Sequence, residues 1–281
     1  MEQGWYSPVL SALGDDELER IFERSVPRKL ATGEVLHLAG DPADRIHLLE
    51  RGLVKLTARD GEGRDTILGL AVPGDLLGDV AALDGYGQPL DAVAARPSKL
   101  VSLDAEVFLR VLGRSAKASL ELAATLAVRT RWMFDTALER SSTEVPGRMA
   151  GRLLWLAELL GQMRGTTIVL ELPLRQGDLG RLAGMSRESA CKTLRTFRSQ
   201  GILDYQGQKL RILRPDALDR IRCAGRVKSL TTPADARVAG VPRADQRGKW
   251  GRTEAEREEF LRKTSGNAKG PTSGADTSSG Y

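Results

Sequence analysis

The stretch that most limits how this chain folds is residues 177–197, GDLGRLAGMSRESACKTLRTF. Apolar residues recur at a helical interval on both sides of Gly184-Met185-Ser186, and Ser186 is a natural N-cap for the segment that follows. Two short helices joined so tightly must cross at a steep angle, so the spacing predicts a helix-turn-helix. On the second helix Ala190, Leu194 and Phe197 lie at i, i+4 and i+7 and should pack inward. Arg187, Glu188, Cys191, Lys192 and Arg195 fall on the opposite side.

That polar side has the chemistry of a base-reading surface. Arg187 sits in the first turn, where its planar fork matches guanine O6 and N7; Glu188 can accept from the cytosine amino group, and Lys192 can reach guanine or phosphate. One acid among cations costs non-specific affinity, which favours reading over adhesion. Taken singly, Glu188 also fits as an acid favoured by the helix N-terminus, and Arg187 as a solvated surface charge. Downstream, ILDYQGQKLRIL (202–213) reads as strand, Gln206-Gly207 turn, strand, with Leu210 and Ile212 inward and Lys209 and Arg211 outward. This is a wing, and Lys209, Arg211, Arg195 and Arg198 are the expected phosphate contacts. Charge follows the same division: residues 1–172 hold 20 Lys+Arg against 25 Asp+Glu, whereas residues 173–223 hold 11 against 5. A basic segment behind an acidic one fits double-stranded DNA as partner.

Upstream, residues 14–24 read as a short helix with acids at its start. From Gly33 to about Leu103, short apolar runs are punctuated by glycines at 40, 52, 61, 63, 74, 78, 85 and 87, the rhythm of a roll of small antiparallel strands. From Ala105 to about Ser142 the pattern is helical, with two adjacent stripes: Ala123, Leu126, Thr130, Met133, Ala137, and Leu120, Ala124, Ala127, Arg131, Phe134, Leu138. One stripe can cover the roll and the other a partner helix, or both can cover the roll. EVPGR (144–148) breaks that helix, a second helix runs from about Met149 to Met163, and TTIVLELPL follows as a strand. Beyond Arg222 large apolar residues become scarce, which predicts a disordered tail with one helical stretch near Thr253–Lys263.

Several classes are disfavoured. The only cysteines are Cys191 and Cys223, too few for a disulfide framework or a cysteine-ligated iron–sulfur cluster, and a reducing cytoplasm fits. Cys191, beside the reading face, is either a small filler or an oxidation-sensitive thiol. His37 and His47 are the only histidines and read as packing or surface residues, not metal ligands. There is no leader pattern, no membrane-length apolar run, no Walker loop and no nucleophile elbow, so neither a membrane protein nor an enzyme is expected, and no catalytic residue is assigned.

With these residues in place, the chain resembles the cyclic-AMP receptor protein/FNR (Crp/Fnr) family of bacterial transcription regulators over about residues 10–222. The motifs that carry the resemblance are SRESACK in the reading helix, LRQGDLGRLAG before it, EVPGR at the hinge, and AGDPADRIHLLERGLVKLTARDGEGRDTILGLAVPGDLLGD in the roll. It implies an α+β chain: a cyclic-nucleotide-binding-like β-roll with its dimerisation helix (10–142, the helix about 115–142), a winged helix-turn-helix (143–222), and the tail (223–281). It further implies a homodimer on a near-palindromic site, with Ser186, Arg187, Glu188 and Lys192 contacting bases and RNA polymerase as a further partner if the protein activates.

In family members that bind cyclic AMP, a Gly-Glu pair and an Arg-Ser pair hold the nucleotide. Here Gly78-Asp79 stands for the first, where Asp79 could still accept a ribose hydroxyl, and Leu90-Asp91 stands for the second, where a cation would be needed. Met133 and Phe134 occupy the helix positions that would meet the base. The expectation is therefore no cofactor and absent or weak cyclic AMP binding. The alternative is a nucleotide or cyclic-dinucleotide sensor whose ligand switches DNA binding.

Overall fold

The computed structural model describes residues 7–59, 61, 65–142 and 144–224. In chain order the elements are helices α1 (Pro8–Ser11) and α2 (Asp15–Phe22), strands β1 (Val26–Leu30), β2 (Val35–His37), β3 (Arg45–Arg59), β4 (Asp65–Ala71) and β5 (Leu76–Leu77), helix α3 (Asp79–Asp84), strand β6 (Asp91–Asp104), and helices α4 (Ala105–Leu112), α5 (Ala116–Ser142) and α6 (Val145–Leu160). There follow strands β7 (Gln162–Arg164) and β8 (Thr167–Glu171), helices α7 (Gln176–Leu182) and α8 (Arg187–Ser199), strands β9 (Leu203–Gln206) and β10 (Lys209–Ile212), and helix α9 (Pro215–Cys223).

The long strands β3 and β6 pair antiparallel along most of their length and form the spine of the roll. β1 and β2 join opposite ends of β6, while β5 and β4 join opposite ends of β3. Leu30, Leu49, Val54, Ala92 and Leu100 fill the interior. A second cluster, including Phe22, Ile46, Leu103, Phe108 and Leu122, packs α1, α2, α4 and α5 onto the roll. Close approach inside the roll depends on Gly52, whose φ is +115°: a Cβ there would lie 2.6 Å from the Ser98 Cα. Ser98 Oγ in turn accepts from the Leu53 backbone N–H at 3.3 Å.

Four local expectations need correction. DLLGDVAALDG does not stay extended: Gly78 caps a short helix, α3. The helical stretch from Ala105 breaks at Gly113, leaving α5 as a separate 27-residue helix. Pro146 lies in the first turn of α6, where its missing N–H costs nothing, so EVPGR opens a helix at Val145 instead of preceding one at Met149; residues 162–164 are extended. The wing turn falls on Gly207-Gln208, one residue later than expected.

The stripes on α5 are corrected too. The side that meets its own chain carries Ala118, Leu122, Leu126, Arg129 and Thr136, and only Leu126 belongs to either predicted stripe. Leu120, Met133, Phe134 and Leu138 are exposed, with Phe134 at 65%. Periodicity reported that apolar residues lie on the helix, but not which stripe faces inward. The tail expectation, including its helical stretch, lies outside the described residues apart from Cys223 and Ala224, which end α9.

Gly52→Ala should destabilise the protein by about 3 kcal/mol, since it combines a left-handed backbone with a clash against main chain. Thermal unfolding followed by circular dichroism should show a midpoint lower by about 6–12 °C.

Candidate functional site

The reading helix is built as its sequence suggests. Ser186 Oγ accepts from the Ser189 backbone N–H at 3.1 Å, so this hydroxyl caps α8. Ala190, Leu194 and Phe197 are buried, and Arg187, Glu188, Cys191, Lys192, Arg195, Thr196 and Ser199 line one open groove. The turn before it is tight: Gly184 has φ +63°, and a Cβ would come within 2.9 Å of the Arg140 Nε. Cys191 is half-buried, and its Sγ donates to Gln176 Oε1 at 3.0 Å.

The cations expected to meet bases or phosphates divide into two kinds. Arg187, Lys192, Arg195 and Arg211 are exposed and form no ion pair among the described residues. Arg198 instead pairs with Asp204 at 3.0 Å and lies over the Tyr205 ring at 4.9 Å, while Lys209 meets Glu171 at 3.5 Å. Such exposed pairs contribute about 0–1 kcal/mol and exchange readily, but they orient both side chains before any partner arrives. These pairs are not legible in the residue pattern, because Asp204 and Glu171 lie on strands β9 and β8.

Two carboxylates of the roll's candidate pocket have partners within the chain. Asp79, buried at the start of α3, receives Arg129 Nη1 at 2.7 Å, and Arg129 Nη2 donates to the Leu76 carbonyl at 3.0 Å. The carboxylate expected to accept a ribose hydroxyl is thus engaged by α5, and Arg129 was missed by sequence reasoning. Asp91 Oδ1 accepts from the Ala39 backbone N–H at 2.7 Å, tying β6 to the loop after β2, and Leu90 beside it is half-buried. Gly78 abuts Gln88, which is buried. Met133 lies one turn beyond Arg129 on α5, exposed like its neighbour Phe134.

Both histidines are packing residues of the roll. His47 Nδ1 shares a hydrogen bond with Ser102 Oγ at 2.8 Å, and its ring stacks on His37 with centroids 6.3 Å apart. Burial, then the His37, Arg28 and Arg45 charges, push the His47 pKa down to about 4. His37 is lowered mainly by burial, against the opposing pull of Asp41 and Asp91. Among the described residues no group of three His, Cys, Asp or Glu could hold a metal, and no helix is long and apolar enough to cross a membrane.

The reading unit rests on the roll. Leu53, Ile67, Leu70 and Val72 join the apolar cluster that holds Leu179, Leu194 and Phe197. Beside them Lys55 reaches Asp178 at 3.5 Å, and Arg181 bridges Asp178 at 3.2 Å and Asp65 at 3.5 Å.

A roll followed by a long helix and a winged helix-turn-helix with an exposed cationic face defines a class of two-part DNA-binding regulators. Comparison with known proteins agrees. Residues 27–115 match the cyclic nucleotide-binding domain model, and residues 147–221 match the Crp-like helix-turn-helix domain model, together more than half of the chain. The chain is 28% identical over 194 residues to the CRP-like cAMP-activated global transcriptional regulator of Mycobacterium tuberculosis, covering 69% of this chain and 87% of that protein. It is 29% identical over 198 residues to the cyclic AMP receptor protein of Thermus thermophilus, covering 70% and 88% respectively. The solved structure of FixK2 from Bradyrhizobium japonicum superposes with a TM-score of 0.64 at 21% identity, covering 70% of this chain and 96% of that one, and supports the fold. The chain belongs to the Crp/Fnr family and is a transcription regulator with a helix-turn-helix DNA-binding domain.

Because His47 titrates far below its ordinary 6.5, the unfolded chain binds the proton first as pH falls, and stability is lost from about pH 6.5 down to about pH 4. Urea unfolding should show this group contributing a loss of about 2 kcal/mol between pH 6.5 and pH 5, absent in His47→Gln.

Proposed function

We propose that this regulator acts as a homodimer joined through α5, reading a near-palindromic DNA site without ordinary cyclic AMP control. The observation that carries the reading is the two-sidedness of α8. Ala190, Leu194 and Phe197 are buried while Arg187, Glu188, Lys192 and Arg195 stand together in the open. Arg187 and Glu188 supply base selectivity, Lys192 reaches guanine or phosphate, and Ser186 caps the helix at the reading end. Arg195 and Arg211 supply salt-dependent phosphate contacts; Arg198 and Lys209 join them by exchanging Asp204 and Glu171 for phosphate.

Dimerisation is supported by the apolar face of α5. Leu120, Met133, Phe134 and Leu138 are all more than half exposed on one long helix, a surface that a second copy of that helix would cover. The chain divides into an effector-like roll with this helix (10–142) and the reading domain (143–222). The activity is binding, not catalysis; it takes place in the cytoplasm, and RNA polymerase is the further partner if the protein activates.

Independence from cyclic AMP rests on Leu90 and Asp91 where a cation is needed and on Asp79 engaged by Arg129; Met133 and Phe134, exposed on α5, offer a base no hydrogen-bonding side chain. A phosphate beside Asp91 would be repelled. The same features weigh against a nucleotide or cyclic-dinucleotide sensor.

Selection from random duplex DNA at near-physiological salt, with and without cyclic AMP, should enrich one inverted repeat in both conditions. Enrichment only with the nucleotide would overturn the pocket assignment. On the enriched site Arg187→Ala should cost about 1–3 kcal/mol and flatten base preference, whereas Arg211→Ala should weaken specific and random DNA alike. An unchanged ratio of specific to random binding in Arg187→Ala would remove that residue from the reading set.

A further inference from the structure

We infer that Arg152 sets the angle between the dimer helix α5 and the DNA-reading unit, and through that angle the half-site spacing the dimer accepts; this rests on the dimeric DNA-binding reading above. α5 ends at Ser142 and α6 begins at Val145, so the two helices meet at a corner. The corner is fixed by side chains. Arg152, two turns into α6 and only 6% exposed, donates from Nη2 to Thr136 Oγ1 at 2.9 Å and to Glu139 Oε2 at 2.8 Å. Its guanidinium carbon lies 5.2 Å from the centre of the Trp132 ring, and Trp132 meets Trp155 of α6 with centroids 5.4 Å apart. Trp132, Thr136 and Glu139 stand at i, i+4 and i+7, so one face of α5 meets Arg152 and Trp155 of α6.

The surroundings are shaped for this contact. Gly151 leaves room for the carboxylate: a Cβ there would come within 3.2 Å of Glu139 Oε1. Two further ties run from the same corner to the turn before the reading helix. Arg148 Nε donates to the Ala183 carbonyl at 3.3 Å, and Arg140 packs against Gly184.

A buried ion pair contributes little net stability compared with an apolar pair of the same volume, yet removing one partner alone is costly. Its distinctive contribution is directional. Apolar helix faces can slide by fractions of a turn, whereas a planar guanidinium bonded to two acceptors and lying over a ring admits one arrangement. In a dimer joined through α5, a change in the α5–α6 angle swings α8 relative to the two-fold axis. The distance between the two reading helices must match half-sites about one DNA turn apart. Arg152 lies on α6, outside the groove face of α8, which makes it a positioning residue.

The test uses the full-length protein and three DNA sets: the selected inverted repeat, the same repeat with one or two base pairs added or removed between half-sites, and a lone half-site. The Arg152→Met, Glu139→Leu double variant removes both charges together and avoids stranding either. Arg152→Lys keeps the charge and loses the planar group that lies over the Trp132 ring. Sedimentation establishes the dimer for each protein.

Wild type should prefer one spacing by at least about tenfold. Both variants should bind the lone half-site within about twofold of wild type while their spacing preference falls below about threefold. General damage to the reading domain would weaken the lone half-site too. A dimeric variant of either kind that keeps the wild-type spacing preference overturns the role of Arg152 alone. A wild-type protein that binds no paired site better than a lone one overturns the dimeric reading and this inference together.

Discussion

The apolar seam between the outer face of the roll and the reading unit is the interaction on which the rest of the molecule depends. Leu53, Ile67, Leu70 and Val72 are buried in the same cluster as Leu179, Ala190, Leu194 and Phe197, so the roll forms part of the floor on which the helix-turn-helix stands. Each of the Val, Leu, Ile and Phe side chains contributes about 1.5–3 kcal/mol on burial, whereas the flanking ion pairs are partly exposed and contribute under about 1 kcal/mol each. The seam therefore supplies the adhesion. Lys55–Asp178 and Arg181–Asp65 supply register, because charge pairing discriminates among ways of laying one apolar face on another.

The reading unit has a second anchor at the other side, through the α5–α6 corner. The seam ties it to the roll and Arg152 ties it to the dimer helix, so α8 is held from two directions. Asp79 and Arg129 close the remaining connection, between the roll and α5. Pocket, dimer helix and reading helix are consequently parts of one contiguous network.

Helix and strand assignments were largely legible in the sequence because they rest on short-range rules. Ser186 as cap, the buried Ala190, Leu194 and Phe197, and the alternation of Lys209, Leu210, Arg211 and Ile212 all follow from residues within two turns of one another. The orientation of α5 was not legible. A 27-residue helix carries apolar residues on several stripes, and which of them faces inward depends on where the roll lies beside it. The same limit hid Arg129, whose carboxylate partner is 50 residues away, and Arg152, whose partners lie on another helix. It also hid the pairing of Arg198 and Lys209 with acids on neighbouring strands.

By itself, the sequence determined the kind of protein: a glycine-punctuated roll, a long helix, and a capped reading helix with cations on one side and an apolar stripe on the other. Local periodicity, capping and turn chemistry are properties of neighbouring residues, and they survive whatever the chain does elsewhere. Only the tertiary structure decided which charges are spent inside the molecule and which remain for a partner. A guanidinium or carboxylate can satisfy itself with any group that the fold brings within about 3 Å, and that choice is made by elements far apart in the chain.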